Sequence, residues 1–372
     1  MIRVISIILA VFVGIHGLIH LMGFVAYWPL AKINELPYKT SLMAGKLELG
    51  AAGMRFYSLL WLLATLGFLA AAILLALGKP SWAPLMLAAV LLSMVVCILD
   101  WGAAFRGAWI DGFFLLVLFV VFGLRLQPAP FPRFAGIPAP VTTRPVPAGL
   151  PEPVQRFYRA YHGDQVPVYS SAVVSIRGSL RIMGVTFPAR YRFSHMTGKD
   201  YRHYIEATFW GIPVMKVNER YLDGHARMEL PFGVVENDPG VDSAANQGLW
   251  GEAFAFFPAV LVTDGRVRWE AVDDTTAKAY VPFGESEQVF TVQFDPQTGL
   301  LRRLETLRYR DEEPGAIRWW NEIYRDDQSN DLDAPIMFTT TWEDEGTPWL
   351  TGKVEEIVFN ADLSSYIRQE GP

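Results

Sequence analysis

The N-terminal third of the chain contains four long apolar stretches, which constrain its fold more than any other feature. They run from Val4 to Trp28, from Phe56 to Leu77, from Trp82 to Leu99 and from Gly107 to Leu126. About 20 helical residues cross the roughly 30 Å hydrocarbon core of a bilayer, so each stretch is long enough to span it. We therefore predict an α-helical four-span membrane domain over residues 1–126.

Charge divides the chain into two parts. Residues 1–126 carry eight basic and four acidic side chains, so their net charge is +4. The whole chain has 32 Lys and Arg against 38 Asp and Glu, which leaves a net charge of −10 for the remainder. This composition excludes a plain cytosolic enzyme. An acidic soluble part also argues against nucleic acid as a partner, because phosphates require a basic surface.

The charges beside the spans indicate their orientation. Four spans place both termini on one side of the membrane. The positive-inside rule favours the cytoplasm for the opposite side, by a difference of one charge. That side contains Lys32, Lys39, Lys46, Arg55 and Arg106. We therefore expect the C-terminal domain to be extracytoplasmic.

A proline-rich linker over residues 127–149 follows the spans. Nine prolines lie between Pro128 and Pro153. This density favours extended polyproline II structure, which would form a stiff stalk. The alternative is an irregular strap that packs on the domain.

Residues 150–372 have the pattern of an antiparallel sheet. From Val174 to Ile182 apolar and polar residues alternate, and further short strands rich in aromatic and β-branched residues follow. A broad apolar stripe predicts one central helix over residues 243–261. About ten or eleven strands around this helix predict an α+β domain, an antiparallel half-barrel wrapped around an apolar helix.

Several motifs of this domain resemble one bacterial family, domain of unknown function 6544. They are Leu150–Phe157 (LPEPVQRF), Gly248–Leu261 (GLWGEAFAFFPAVL), Val267–Glu270 (VRWE), Phe294-Asp295 and Arg308-Tyr309. The resemblance covers residues 148–326. It implies a half-barrel fold similar to that of lipoprotein carriers of the LolA/LolB type, and it implies no particular activity.

Ionisable residues within the spans form a candidate membrane site. His16 and His20 lie four residues apart on one helix face, and Asp100, Arg106 and Asp111 lie near the turn between the third and fourth spans. Such residues are functional candidates because their burial in lipid is costly. The alternatives are neutral histidines that hydrogen-bond across packed helices, a ligand or ion site, and a haem. A haem that links spans usually needs a histidine on a second span, and no other span contains one.

The candidate ligand site of the C-terminal domain is an aromatic cleft beside the central helix. The residues we assign to it are Trp210, Trp250, Glu252, Phe254, Phe257, Trp269 and Phe283. The aromatic side chains either line a cleft or form an ordinary core. Glu252 either anchors a ligand headgroup or pairs with an arginine such as Arg190, Arg192 or Arg268.

Motifs for metals and nucleophiles are missing from this part of the sequence. The scattered histidines form no paired pattern, so we expect no metal and no cofactor. Asp327, Ser329, Asp331 and Asp333 alternate as at the start of a calcium loop. Leu332 and Phe338 replace its glycine and glutamate, and we expect a solvated loop instead.

These observations favour a binding protein over an enzyme. We expect a protein of the bacterial inner membrane whose half-barrel binds or transfers an apolar ligand, either a lipid or an acyl chain. One alternative is a membrane redox or proton-handling protein that uses the candidate membrane site. Another is a structural envelope protein whose sheet docks a further protein.

Overall fold

The computed structural model describes residues 2–136, 138–310, 315–325, 332 and 334–371. The acidic residues of the predicted loop at 327–333 lie outside the described residues. The chain divides into two compact units, Met1–Gly123 and Leu124–Pro372, each with its own hydrophobic core. We call them the membrane unit and the sheet unit.

Four helices form the membrane unit: α1 (Ile2–Tyr27), α2 (Gly50–Ala76), α3 (Trp82–Leu99) and α4 (Trp101–Gly123). Each is long and apolar enough to cross a membrane, with a mean hydropathy between 1.9 and 2.5, which confirms the four predicted helices. Helix α4 begins at Trp101 rather than at the predicted Gly107. The reason is that the amides of Ala103 and Ala104 already donate to the carbonyl of Asp100, at 3.0 and 2.9 Å.

Small residues allow α1 and α2 to pack closely. A Cβ atom on Gly23 would lie 2.2 Å from the ring of Trp61, and one on Gly17 would lie 2.7 Å from the Cβ of Phe68. Close helix packing over small residues is typical of membrane proteins, where dispersion replaces the hydrophobic effect between helices. A short hairpin, β1 (Ser41–Leu42) and β2 (Leu47–Glu48), lies in the connection between the two helices.

The proline-rich segment lies on the sheet of its own unit. The carbonyl oxygens of Pro128 and Ala129 accept hydrogen bonds from Arg177 and Arg190, at 3.3 and 3.0 Å. Proline nitrogens cannot donate, but the carbonyls of such a segment remain good acceptors. The segment therefore takes the form of a strap in the structure, held by arginines of the sheet.

A short helix and a strand pair follow the strap. Strand β3 (Thr142–Pro145) pairs with β4 (Gln165–Val168), and α5 (Glu152–His162) lies between them in the chain. Pro153 lies in the first turn of α5, where a helix tolerates proline.

Thirteen strands of the described residues form one open antiparallel sheet. They are β5 (Ser171–Ile182), β6 (Val185–Met196), β7 (Asp200–Phe209), β8 (Ile212–Leu222), β9 (His225–Leu230), β10 (Gly233–Glu236), β11 (Arg268–Ala271), β12 (Thr276–Phe283), β13 (Ser286–Phe294), β14 (Leu301–Tyr309), β15 (Ala316–Arg325), β16 (Ile336–Trp342) and β17 (Pro348–Phe359). Their order is β10-β9-β8-β7-β6-β5-β17-β16-β15-β14-β13-β12-β11. Two meanders, β5 to β10 and β11 to β17, thus join where β5 pairs with β17.

The sheet curves around the central helix α6 (Pro239–Phe256). This helix contacts β8 and β9 near one edge of the sheet, and β12 and β14 near the other. One helix can touch both halves of the sheet only if the sheet wraps around it. The predicted fold class, an antiparallel half-barrel around an apolar helix, is confirmed.

The bounds of the central helix differ from the predicted 243–261. Helix α6 begins at Pro239 because the side chain of Asp238 accepts hydrogen bonds from the amides of Gly240 and Val241, at 2.7 and 3.1 Å. It ends before Pro258, whose ring prevents a continuous helix. A separate short helix, α7 (Val260–Thr263), follows.

Candidate ligand cleft and polar clusters

A cavity of about 560 Å³ lies beside α6 in the sheet unit, between α5 and strands β14 to β16. Its apolar wall contains Phe157, Phe254, Pro258, Leu301, Ile323 and Ile336. Its polar lining contains Asp295, Arg302, Glu322 and Arg325. We call this cavity the cleft. It joins an apolar wall to a polar lining that contains both basic and acidic residues.

Only part of the predicted aromatic site belongs to the cleft. Phe254 lines it, and its ring lies 5.8 Å from that of Trp269 in an edge-to-face contact. Phe254 is itself only 2% exposed and belongs to the hydrophobic core, as do Trp250 and Phe257, which are 1% exposed and do not line the cleft. Trp210 lies in the turn after β7, and Phe283 ends β12. Neither of these two lines the cleft.

Glu252 lies on another side of α6 and faces two histidines. Its Oε2 atom is 2.6 Å from Nε2 of His195 and 2.9 Å from Nε2 of His203. In the pairing of β6 with β7, Phe193 is opposite His203 and His195 is opposite Tyr201. Alternate residues of a strand share a face, so the two histidines are diagonal neighbours on the face towards α6.

The arginine partners predicted for Glu252 are wrong. Arg190 instead pairs with Glu206 at 2.6 Å, Arg268 pairs with Glu287 at 2.8 Å, and Arg192 donates to the carbonyl of Pro132. Arg190 and Arg192 alternate along β6 with Phe193 and His195, so they project to the opposite face. The alternation along β6 thus predicts that His195 faces α6. The same rule, applied to the pairing of β6 with β7, predicts that His203 faces α6 as well.

Buried charges surround His203. Burial opposes ionisation of Glu252, but the positive charge of His203 outweighs it and lowers the pKa of Glu252 to about 2. Burial also opposes the charge on His203, but Glu252 and Glu219 raise the pKa of His203 to about 9. Glu219 lies directly opposite His203 in the sheet, with Oε2 3.5 Å from Nδ1. The two carboxylates thus favour the protonated form of His203.

His195 lacks hydrogen bonds despite its close neighbour. Its exposed fraction is 0%, and neither ring nitrogen has a hydrogen-bond partner among the described residues. The 2.6 Å approach to Glu252 does not have the angles of a hydrogen bond. Burial outweighs the carboxylate of Glu252 and lowers the pKa of His195, which favours a neutral ring.

The structure connects both membrane histidines to Asp111. Nε2 of His16 lies 3.0 Å from Oδ1 of Asp111, and the hydroxyl of Ser93 lies 2.6 Å from Oδ2. Nε2 of His20 lies 2.6 Å from the same hydroxyl, and its Nδ1 faces the carbonyl of His16 at 2.9 Å. All four residues are buried within the membrane unit. Ser93, which the sequence analysis did not select, is the link between the two histidines.

The other predicted membrane residues lie apart from this network. Asp100 accepts hydrogen bonds from Tyr27 and Lys39. Arg106 is exposed in the described structure, and its guanidinium lies over the ring of Phe105. The predicted grouping of Asp100, Arg106 and Asp111 is therefore not a single cluster.

One protein family and several solved structures match the chain. No curated protein matches the chain. A LolA superfamily protein from Nitrosomonas europaea is similar with a TM-score of 0.33 and 10% identity, over 59% of this chain and 96% of that protein. A DUF1329 family protein from Desulfovibrio piger is similar with a TM-score of 0.29 and 14% identity, over 59% of this chain and 94% of that protein. Residues 140–353, more than half of the chain, match the Family of unknown function (DUF6544), and the chain belongs to this family.

Proposed function

We propose that the sheet unit binds an acyl-chain amphiphile in the cleft and that the four helices anchor it to a membrane. The observation that carries this proposal is the joint presence of an apolar wall and a charged lining in one cavity of about 560 Å³. Ligand pockets are typically of this size, and they combine apolar surface with polar groups that orient the ligand. Each methylene group transferred into such a pocket contributes about 0.8 kcal/mol.

The charged lining suits a zwitterionic headgroup. Arg302 lies 3.6 Å from Asp295, and Arg325 donates to the hydroxyl of Tyr161 at 3.2 Å. Arginine binds phosphate and carboxylate groups through paired hydrogen bonds. Asp295 provides the carboxylate, because Glu322 lies next to the inward-facing Ile323 in β15 and pairs with Arg303 on the opposite face of the sheet. A headgroup with both signs can place its anionic group at Arg302 or Arg325 and its cationic group at Asp295.

The membrane position completes the proposal. Because one chain contains both units, the helices keep the sheet unit close to a lipid supply. We place the protein in the bacterial inner membrane with the sheet unit outside the cytoplasm, where it takes up or hands on its ligand.

A binding titration tests the cleft. We expect full-length protein in amphipol to bind fluorescent lysophosphatidylethanolamine saturably. Ile323→Arg places a charge in the apolar wall and should abolish the saturable part. Leu307→Arg is the matched control, because Leu307 is exposed on the neighbouring strand and does not line the cleft. Equal loss in both variants, or binding that Ile323→Arg leaves intact, would contradict the proposal.

The network of the membrane unit supports a second candidate function, proton handling. Nδ1 of His20 faces a carbonyl and must donate to it. Ser93 has a single hydroxyl proton for its contacts with His20 and Asp111. The hydroxyl proton can form only one of these two hydrogen bonds. The second hydrogen bond therefore needs a proton on either the Asp111 carboxyl group or Nε2 of His20. The same heavy-atom positions therefore allow a proton to pass between Asp111 and His20 through Ser93.

Infrared spectroscopy tests this second candidate. We expect the protonated-carboxyl band of Asp111, identified by its loss in Asp111→Asn, to change intensity between acidic and alkaline buffer. Ser93→Ala should remove that change, and Ser93→Thr should keep it because it retains the hydroxyl. A band that is the same in wild type and Ser93→Ala would exclude the relay.

A further inference from the structure

His195 is a buried polar side chain on the face of the sheet that is turned towards α6. It is fully buried, and neither ring nitrogen makes a hydrogen bond within the described residues. A buried polar group without a hydrogen-bond partner destabilises the folded state unless a ligand satisfies it. The ring lies between the rings of Phe257 and Tyr201, with centroid distances of 5.1 and 5.7 Å, so packing helps to fix its position.

Three donor atoms converge beside this ring. Nε2 of His195, Nε2 of His203 and a carboxylate oxygen of Glu252 all lie within 4.8 Å of one another. Two imidazoles and one carboxylate form a known donor set for zinc that leaves one position for water or a ligand. Ligand atoms 2.0–2.2 Å from a tetrahedral zinc lie about 3.3 Å apart, so side-chain shifts of less than about 1 Å would complete the site.

The surroundings of His203 are those of a metal ligand. Its Nδ1 atom faces Glu219 at 3.5 Å, and Tyr201 donates a hydrogen bond to the same carboxylate. A carboxylate on the far nitrogen of a histidine fixes the ring and turns its other nitrogen towards the metal. Tyr201 also stacks on the ring of His203, with 3.9 Å between the ring centroids.

We infer that His195, His203 and Glu252 bind a divalent transition metal ion such as Zn²⁺. This site is separate from the cleft, because Glu252 and Phe254 lie about 200° apart around α6. It therefore does not depend on the proposed amphiphile binding. The side chain of Glu252 retains 15% exposure, which gives the ion an entry side. Imidazole donors favour zinc, copper, iron and nickel over calcium and magnesium.

Metal titration of full-length protein in detergent tests the site. The protein is first stripped with a chelator and then titrated with Co²⁺, with the visible absorption of the bound ion as the signal. We expect one equivalent of Co²⁺ to give a d–d band, Zn²⁺ to displace it, and Zn²⁺ to raise the melting temperature. His195→Gln/His203→Gln should lose the band and the rise in melting temperature.

Two control variants locate the signal. His225→Gln changes an exposed histidine of the same unit, and His16→Gln/His20→Gln removes both histidines of the membrane unit. Both controls should bind as wild type does. Wild-type protein without stoichiometric binding would overturn the inference. A band lost in the membrane-unit variant but kept in His195→Gln/His203→Gln would overturn it as well.

A positioning variant gives a second, graded measurement. Glu219 touches no donor atom of the metal in this assignment, so Glu219→Gln should retain the band and weaken affinity about 10–100-fold. This variant keeps a hydrogen-bond acceptor for Tyr201. Its metal affinity can therefore be measured even if the double histidine variant does not fold. Unchanged affinity in Glu219→Gln would remove the orienting role assigned to this residue.

Discussion

Gly178 and Gly352 lie directly opposite each other where the two meanders join. A Cβ atom on Gly178 would lie 1.9 Å from the carbonyl oxygen of Thr351, and one on Gly352 would lie 2.3 Å from the ring of Phe338. The first clash is with backbone and cannot be relieved by a change of rotamer. The pairing of β5 with β17 therefore depends on the absence of side chains at these two positions.

Substitution of Gly178 tests this close approach. Gly178→Ala should lower the free energy of unfolding of the sheet unit by about 1–3 kcal/mol, which is the usual cost of overpacking. Gly233→Ala is the matched control. Gly233 lies in β10 of the same sheet, and a Cβ atom there would have no atom within 4 Å. Intrinsic tryptophan fluorescence during thermal unfolding would measure both. Equal melting temperatures for the two variants would contradict this account of the join.

Single residues also show what the sequence could and could not predict of the site. Glu252 was recognisable as a carboxylate on an apolar helix, but its partners depend on the register of β6 with β7. Register follows from turn geometry and burial rather than from any short motif. The same limit applies to the membrane unit, where Ser93 becomes recognisable as a link only when α1, α3 and α4 are packed.

At the scale of elements, α6 depends on its first turn. Asp238 satisfies two of the amides that the helix itself leaves without partners. Asp238→Ala should lower the free energy of unfolding by about 1 kcal/mol. Asp238→Asn should lose much less, because the amide oxygen of asparagine still caps the helix. Chemical denaturation followed by circular dichroism would compare the three proteins. A loss in Asp238→Asn equal to that in Asp238→Ala would show that the cap is not the source of the effect.

Elements whose sequence pattern is local were the easiest to predict. The four membrane helices were predictable because hydrophobic length alone defines them. The aromatic stripe likewise identified α6, while its capping residue and Pro258 moved its ends to Pro239 and Phe256. The predicted number of ten or eleven strands is below the thirteen of the sheet, and the short edge strand β10, with only four residues, has no counterpart in the prediction.

For the whole molecule, the predicted orientation in the membrane rests on a difference of one positive charge. We predict that alkaline phosphatase fused to the C-terminus is active and that green fluorescent protein fused there is dark. A fusion of each reporter after Lys46, between α1 and α2, should give the opposite pattern. The reverse result at both positions would place the sheet unit in the cytoplasm and would remove the extracytoplasmic role proposed for it.

Binding in the cleft is the central claim for the whole molecule, and photo-crosslinking tests it most directly. Full-length protein in amphipol would be irradiated with a lysophosphatidylethanolamine whose acyl chain contains a diazirine, and the labelled peptides would be identified by mass spectrometry. We expect labels on the apolar wall of the cleft, at Phe157, Phe254 and Ile323, and their loss in Ile323→Arg but not in Leu307→Arg. Labels confined to α1–α4, unchanged in both variants, would contradict the claim.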